Sequence, residues 1–184
     1  SQLLGARMII GSDKMKENIN KKILRPLIYQ RKELYIKRMI KEVRSRNENA
    51  VGCNDRCNIK EAMGGIRDIE AVALMIKVDL GSHRSIDQRF FKHNIKKFPK
   101  LSKELQTLHD TAYLLRTVRN LYRITEAAED EIQRDQLRNM SELVGRNSLR
   151  RKLSDHIYKD IKTSLKSSAT AVEKIMKYLE KQLS

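Results

Sequence analysis

Apolar positions recur at steps of three and four along most of this chain, and each run marks out a helix. Leu27, Ile28, Leu34, Tyr35, Met39 and Val43 form the first stripe. It predicts a long helix starting near Pro26, since proline lacks an N–H that a first turn does not use. From Asn47 to Asn58 the pattern dissolves into an Asn-rich loop holding Gly52 and both cysteines. Ile66, Ile69, Ala73, Ile76 and Leu80 make a second stripe, ended by Gly81-Ser82, and Ser85-Ile86-Asp87 opens a short helix. Ser102 begins a long amphipathic helix with Leu105, Leu108, Ala112, Leu115 and Val118 on one face, widened by Leu114, Leu121 and Tyr122. Ser141 to Gly145 reads as a helix end and Asn147-Ser148 as the cap of the next helix, whose stripe is Leu149, Leu153, Ile157 and Ile161. A break is expected at Ser167-Ser168, then a last helix on Ala171, Ile175, Met176, Leu179 and Leu183. The pattern as a whole predicts an all-α fold, a helical bundle of about six to eight helices with no sheet.

Where the second stripe begins, the chain reads Asn58-Ile59-Lys60-Glu61-Ala62-Met63-Gly64-Gly65-Ile66-Arg67-Asp68-Ile69-Glu70. A glycine pair permits positive φ and close approach by other groups. At a helix start it can also leave free backbone N–H groups as a seat for an anion, or serve as a cap and packing device. Arg67 and Glu70, three apart, share a face and are expected to work together.

This stretch resembles the signature of the helical domain in bacterial PII-uridylyltransferases and glutamine-synthetase adenylyltransferases. Arg25-Pro26-Leu27-Ile28-Tyr29-Gln30-Arg31 is similar to a segment of the adenylyltransferases, and Ala128 to Leu137 to an acidic helix of the uridylyltransferases. The resemblance covers roughly residues 20 to 180. It implies that residues 1–20 are the junction to an upstream nucleotidyltransferase domain and that 21–184 form the helical bundle. The parent enzyme would transfer a nucleoside monophosphate from a nucleoside triphosphate to a protein acceptor. Magnesium and the triphosphate would be held by a Gly-Ser turn, an Asp-x-Asp pair and a third carboxylate. Gly11-Ser12-Asp13 has no Asp-x-Asp after it, so no catalytic residue, metal ligand or cofactor is assigned to this chain. The resemblance places Lys60, Gly64, Gly65, Arg67, Asp68 and Glu70 in the cleft between domains, with Arg25, Tyr29 and Arg31 in support. Glu61-Ala62-Met63 departs from the family, which has a further glycine, proline or basic residue before the first glycine.

Composition adds a second line of thought. With 39 Lys+Arg against 23 Asp+Glu the formal net charge is +16, the footprint of a protein that meets polyanions. The alternative function is therefore a non-catalytic basic module for nucleic acid or an acidic protein partner. Phe90, Phe91 and Phe98 lie among the cations of residues 84–103, either as a stacking patch or as core with lysines at the rim. Glu126, Glu129, Asp130, Glu131 and Asp135 form an acidic cluster that either binds metal or pairs with surplus arginines, the second being favoured. Cys53 and Cys57 read as two reduced thiols in preference to half a zinc site. The longest apolar run is too short to span a bilayer, so no membrane partner is assigned and a cytoplasmic location is expected.

Overall fold

The computed structural model describes residues 12–82, 85–125, 130–137 and 147–183, with the side chains of 16, 125 and 147–155 outside that description. The expected helix end at Ser141 to Gly145, most of the junction at 1–20, Glu126 and Glu129 therefore lie outside the described residues, as do the side chains of Leu149 and Leu153. The described residues are largely helical, with five helices of seven residues or more and one small two-stranded sheet among them.

The N-terminal segment runs through α1 (Asp13–Ile19), a π-type stretch at Asn20–Leu24 and a single turn, α2 (Arg25–Leu27). The helix expected from Pro26 onward is interrupted. Ile28 sits at φ −123°, ψ −61° and Arg31 at φ −114°, ψ 32°, so α3 (Lys32–Glu48) starts afresh. The change of phase separates the two halves of the expected stripe. Ile36, Met39, Ile40 and Val43 face inward, whereas Leu27 and Leu34 are 61% and 65% exposed.

α4 (Ile66–Asp79) is the centre of the molecule. Its expected stripe is only part of its buried surface, because Ala71, Val72, Met75, Val78 and the stem of Lys77 are buried too. A helix apolar on nearly every side must be wrapped by others, and α4 packs on α3, α6 (Ser102–Thr125) and α7 (Asn147–Gln182). Gly81 (φ +58°) ends it as the sequence predicts. The Ser82 N–H bonds the Lys77 carbonyl at 2.9 Å and the Gly81 N–H bonds that of Val78 at 3.0 Å, the paired bonds of a Schellman motif.

Short α5 (Phe90–Asn94) buries Phe90 and Phe91, and Phe98 stacks edge-on with Tyr178. Lys92, Lys96, Lys97, Lys100 and Lys103 stay exposed, so these aromatics are core with a basic rim. α6 and α7 lie antiparallel: Lys174 reaches Glu104 at 3.0 Å, and the Thr111 hydroxyl lies 3.5 Å from the Ser164 carbonyl.

Three expectations are corrected here. α7 is one helix with no break at Ser167-Ser168; it contains neither Gly nor Pro, and serine is tolerated in a helix interior. A sheet exists: β1 (Arg56–Asn58) pairs antiparallel with β2 (Glu131–Gln133), Cys57 opposite Ile132, and both of these side chains are buried. Three residues per strand are too few to print a period of two on the sequence. Finally, Cys53 and Cys57 are joined in a disulfide, so neither is a free thiol or a zinc ligand.

Ser168 is fully buried, and its hydroxyl has no hydrogen-bond partner among the described residues. Replacing it by alanine removes an unsatisfied polar atom and improves helix propensity. Ser168→Ala is expected to stabilise the fold by about 1 kcal/mol, read as a higher urea midpoint at unchanged slope.

Candidate functional site

The Asn58–Glu70 stretch is a strap folded onto the start of α4. Asn58 builds its first turn: the side-chain oxygen accepts the N–H of Lys60 at 3.1 Å and of Glu61 at 3.0 Å. Gly64 then takes φ +75°, and Gly65 becomes the N-cap of α4 in extended conformation. Both glycines are needed for close approach. A Cβ on Gly64 would lie 2.3 Å from the Leu165 carbonyl and 2.5 Å from the Ala169 nitrogen, so the strap rests on the backbone of α7. A Cβ on Gly65 would meet the carbonyls of Ala62 and Ile59 at 2.7 Å.

Free N–H groups at this helix start were the basis for an anion seat, and the strap has already used them. The Ile66 N–H bonds the Ile59 carbonyl at 3.0 Å, that of Arg67 bonds Lys60 at 3.2 Å, and that of Asp68 bonds Gly65 at 3.1 Å. The Gly64 N–H is held by Asp68 itself, whose Oδ2 accepts it at 2.8 Å. A carboxylate three residues into a helix, reaching back over the cap, is the logic of a capping box. The other oxygen of Asp68 takes Arg46 Nη2 at 2.5 Å, and Asp68 is 1% exposed. The seat is filled from within. Gly64, Gly65 and Asp68 are therefore structural members of the strap.

The outward residues are Lys60, Arg67 and Glu70. Arg67 does not pair with Glu70. It forks onto Glu61, at 3.0 and 2.9 Å, while Glu70 takes Arg116 of α6 at 3.3 Å. Glu61, the departure from the family pattern, thus supplies the partner of the motif's arginine.

Lys60 leads to a cluster that the motif alone does not disclose. Its Nζ lies 3.8 Å from Asp130, just before β2. Arg119 grips the same carboxylate through Nε at 2.5 Å and Nη2 at 3.0 Å, and Arg123 adds Nη2 at 2.8 Å. Burial works to raise the Asp130 carboxyl, but the Arg119 bonds and the charges of Arg119, Arg123 and Lys60 outweigh it and hold its pKa below the usual range. The backbone agrees, since the Asp130 carbonyl accepts the Ile59 N–H at 3.1 Å. Asp130 and Glu131 pair with arginines, as favoured for the acidic cluster; Glu131 lies 3.7 Å from Arg56. Arg116, Arg119 and Arg123, at three- and four-residue spacing, fall on one side of α6, a signal legible once that helix is drawn.

Arg25, Tyr29 and Arg31 do not join this group. The Tyr29 hydroxyl donates to the Ser82 carbonyl at 2.8 Å, at the opposite end of α4. Fourteen residues at about 1.5 Å each put roughly 20 Å between the two ends. Arg25 lines a groove with Tyr29 and Gly81, and Arg31 lines another with Gln182 and Leu183. Among the described residues no three His, Cys, Asp or Glu side chains group as metal ligands. Glu61, Asp68, Glu70 and Asp130 are each engaged by arginine, so this donor set does not fit magnesium. No described helix is long and apolar enough to cross a membrane.

Two predictions follow from this geometry. Gly64→Ala forces a side chain into positive φ and into the α7 backbone, and is expected to cost about 3 kcal/mol or more in chemical denaturation. Asp130 is more acidic folded than unfolded, so it stabilises the protein above the ordinary carboxylate pKa of about 3.9 and loses that contribution as pH falls through its lower folded value. The stability gap between wild type and Asp130→Asn is expected to be widest near neutrality and to close below about pH 4, measured by melts across pH.

Comparison with known proteins bears on the same stretch. Residues 35–183 match the family model described as GlnD PII-uridylyltransferase, a span that includes the whole strap, α4 and the three helices that wrap it, apart from the first turn of α3. No curated protein and no solved structure matches the chain.

Proposed function

This chain belongs to the GlnD PII-uridylyltransferase family, and from that premise we propose that it is the helical, substrate-positioning part of a nucleotidyltransferase. The reaction assigned to the parent is transfer of a nucleoside monophosphate to a hydroxyl of a PII-type protein. The acceptor oxygen bonds to the α-phosphorus, the bond to the β-phosphate oxygen breaks, and pyrophosphate leaves with that electron pair; the hydroxyl proton passes to a base or solvent. Such chemistry depends on orientation and charge stabilisation. In this reading an upstream domain carries the carboxylates, the magnesium and the triphosphate, and no step is routed through a metal in this chain.

The observation that carries the proposal is the closed strap. The N–H groups of its glycine turn and helix start are satisfied, Gly64 is locked on α7, and Arg67 is exposed with Lys60 half-buried beside it. That supports a rigid ledge holding cations toward a neighbouring domain or acceptor, rather than a loop that cradles a nucleotide. Glu70 and Arg116 extend the ledge onto α6. The competing reading, a nucleic-acid module, loses its aromatic component, since Phe90, Phe91 and Phe98 are core.

Arg67→Ala in the full-length enzyme tests the assignment. Its pair with Glu61 is about half exposed, so stability is expected to change by under about 1 kcal/mol. The nucleotidyl transfer rate, or the apparent affinity for the acceptor, is expected to fall about tenfold, the effect of one charged contact worth about 1.4 kcal/mol. Unchanged kinetics in both respects would remove Arg67 from the interdomain face.

A further inference from the structure

We propose that Lys60, Arg119 and Arg123, converging on Asp130, form a binding site for an oligophosphate chain. The inference extends the transferase reading by naming a ligand chemistry, and it rests on that reading only for the source of the phosphate.

Among the described residues three cations meet at one carboxylate, so these four side chains sum to +2, and the neighbouring pair Arg116–Glu70 adds none. Nor do the bonds among the described residues use up the donors. Arg119 spends Nε and Nη2 on Asp130, and Arg123 spends one Nη2 bond. A guanidinium carries five N–H donors in a fixed fork. Lys60, at 3.8 Å, is an ion-pair neighbour of Asp130 with no hydrogen bond to it, so its ammonium donors are not committed to that carboxylate. All three cations remain between a quarter and a half exposed, open to a ligand from solvent.

Their placement is also fixed in advance. Arg119 and Arg123 sit one turn apart on α6, and Lys60 sits on the strap, whose neighbouring Ile59 N–H bonds the Asp130 carbonyl. Two rigid elements and a short ladder therefore hold three like charges around one point without a ligand. Like charges this close repel, and an added anion relieves the repulsion. Convergent forks beside a point-charge ammonium match the several oxygens of a phosphate group better than a single carboxylate, which offers two. An extended acidic peptide would instead present its charges about 7 Å apart, two residues along a strand. An oligophosphate packs several charges into that length, as the crowded cations require.

Asp130 has a defined part in such a site. It is an internal anion that occupies the cluster when the ligand is absent and competes with it when present.

The test is calorimetric titration of the full chain with inorganic tripolyphosphate, at about 0.1 M salt and without magnesium, followed by a nucleoside triphosphate. Binding is expected, with a raised melting temperature. Arg119→Gln/Arg123→Gln is expected to weaken it at least tenfold. Lys60→Gln, which removes no hydrogen bond to Asp130, is expected to weaken it several-fold while shifting the melt without ligand less than Asp130→Asn does. The triple control Lys96→Gln/Lys97→Gln/Lys100→Gln removes three exposed cations elsewhere and is expected to bind like wild type. Asp130→Asn gives the sharpest reading: tighter binding marks a removed competitor, whereas weaker binding marks a merely structural ion pair and overturns the proposal. Absence of tripolyphosphate binding, or equal loss in the triple control, also overturns it, as does cluster-dependent binding of duplex DNA alone. If the nucleoside triphosphate binds more tightly than tripolyphosphate, the source is a nucleotide tail; if it does not, the source is free oligophosphate. Because binding is read on this chain alone, the site can fail while the effect of Arg67→Ala on transfer still supports the positioning role.

Discussion

Asp68 is the residue on which the strap depends. A carboxylate that is 1% exposed must be compensated, and here one oxygen holds the Gly64 N–H while the other holds Arg46. Those bonds join three things that sequence leaves separate: the C-terminal half of α3, the glycine turn and the first turn of α4. Removing Arg46 leaves the buried Asp68 carboxylate without its counter-charge, a cost typically of about 3–5 kcal/mol. The glycines follow from the same arrangement. Only a residue without a Cβ can offer its N–H to Asp68 while lying against the Leu165 carbonyl. The helix N-terminus, which looks from its sequence like a place for an external anion, is neutralised by its own third residue.

The sequence reveals the core better than the surface. Ile66, Ile69, Ala73 and Ile76 on α4, and Leu105, Leu108, Leu115 and Val118 on α6, are buried as their spacing predicts. Periodicity works there because each helix is long and unbroken. It misleads at Leu27, which the irregular backbone at Ile28 separates from α3, and at Leu34, which lies on the side of α3 away from Ile36, Met39 and Val43. At Ser167-Ser168 small polar residues suggest a boundary, yet they lie in a continuous helix beside the residues on which the Gly64 turn rests. The strands and the Cys53–Cys57 link are decided by tertiary contacts between residues far apart or by chemistry that spacing does not encode.

The candidate site shows the same division. The motif marks out the strap, but the charge pairing within it is not legible in the sequence. Arg67 turned to Glu61 and Glu70 to Arg116, because side-chain pairing depends on the facing helix as much as on positions three apart. Arg119 and Arg123 carry no motif, and they acquire meaning only when the pairing of β1 with β2 brings Asp130 beside them. A basic protein has many cations; convergence, not abundance, distinguishes these.

Closure of the strap has a bearing on how the molecule assembles in time. β1 and β2 join positions 56–58 to 131–133, and Gly64 settles on residues 165 and 169, about a hundred positions further along. Ordering so long an intervening chain costs entropy before these contacts return anything, which delays them relative to the local turns of α4 or α6. The ledge bearing Lys60 and Arg67 is thus a late product of folding, completed only once α7 is in place. A nascent or truncated chain that lacks the C-terminal helix would have helices but no ledge, so the surface assigned to the partner is available only on a chain that has finished folding.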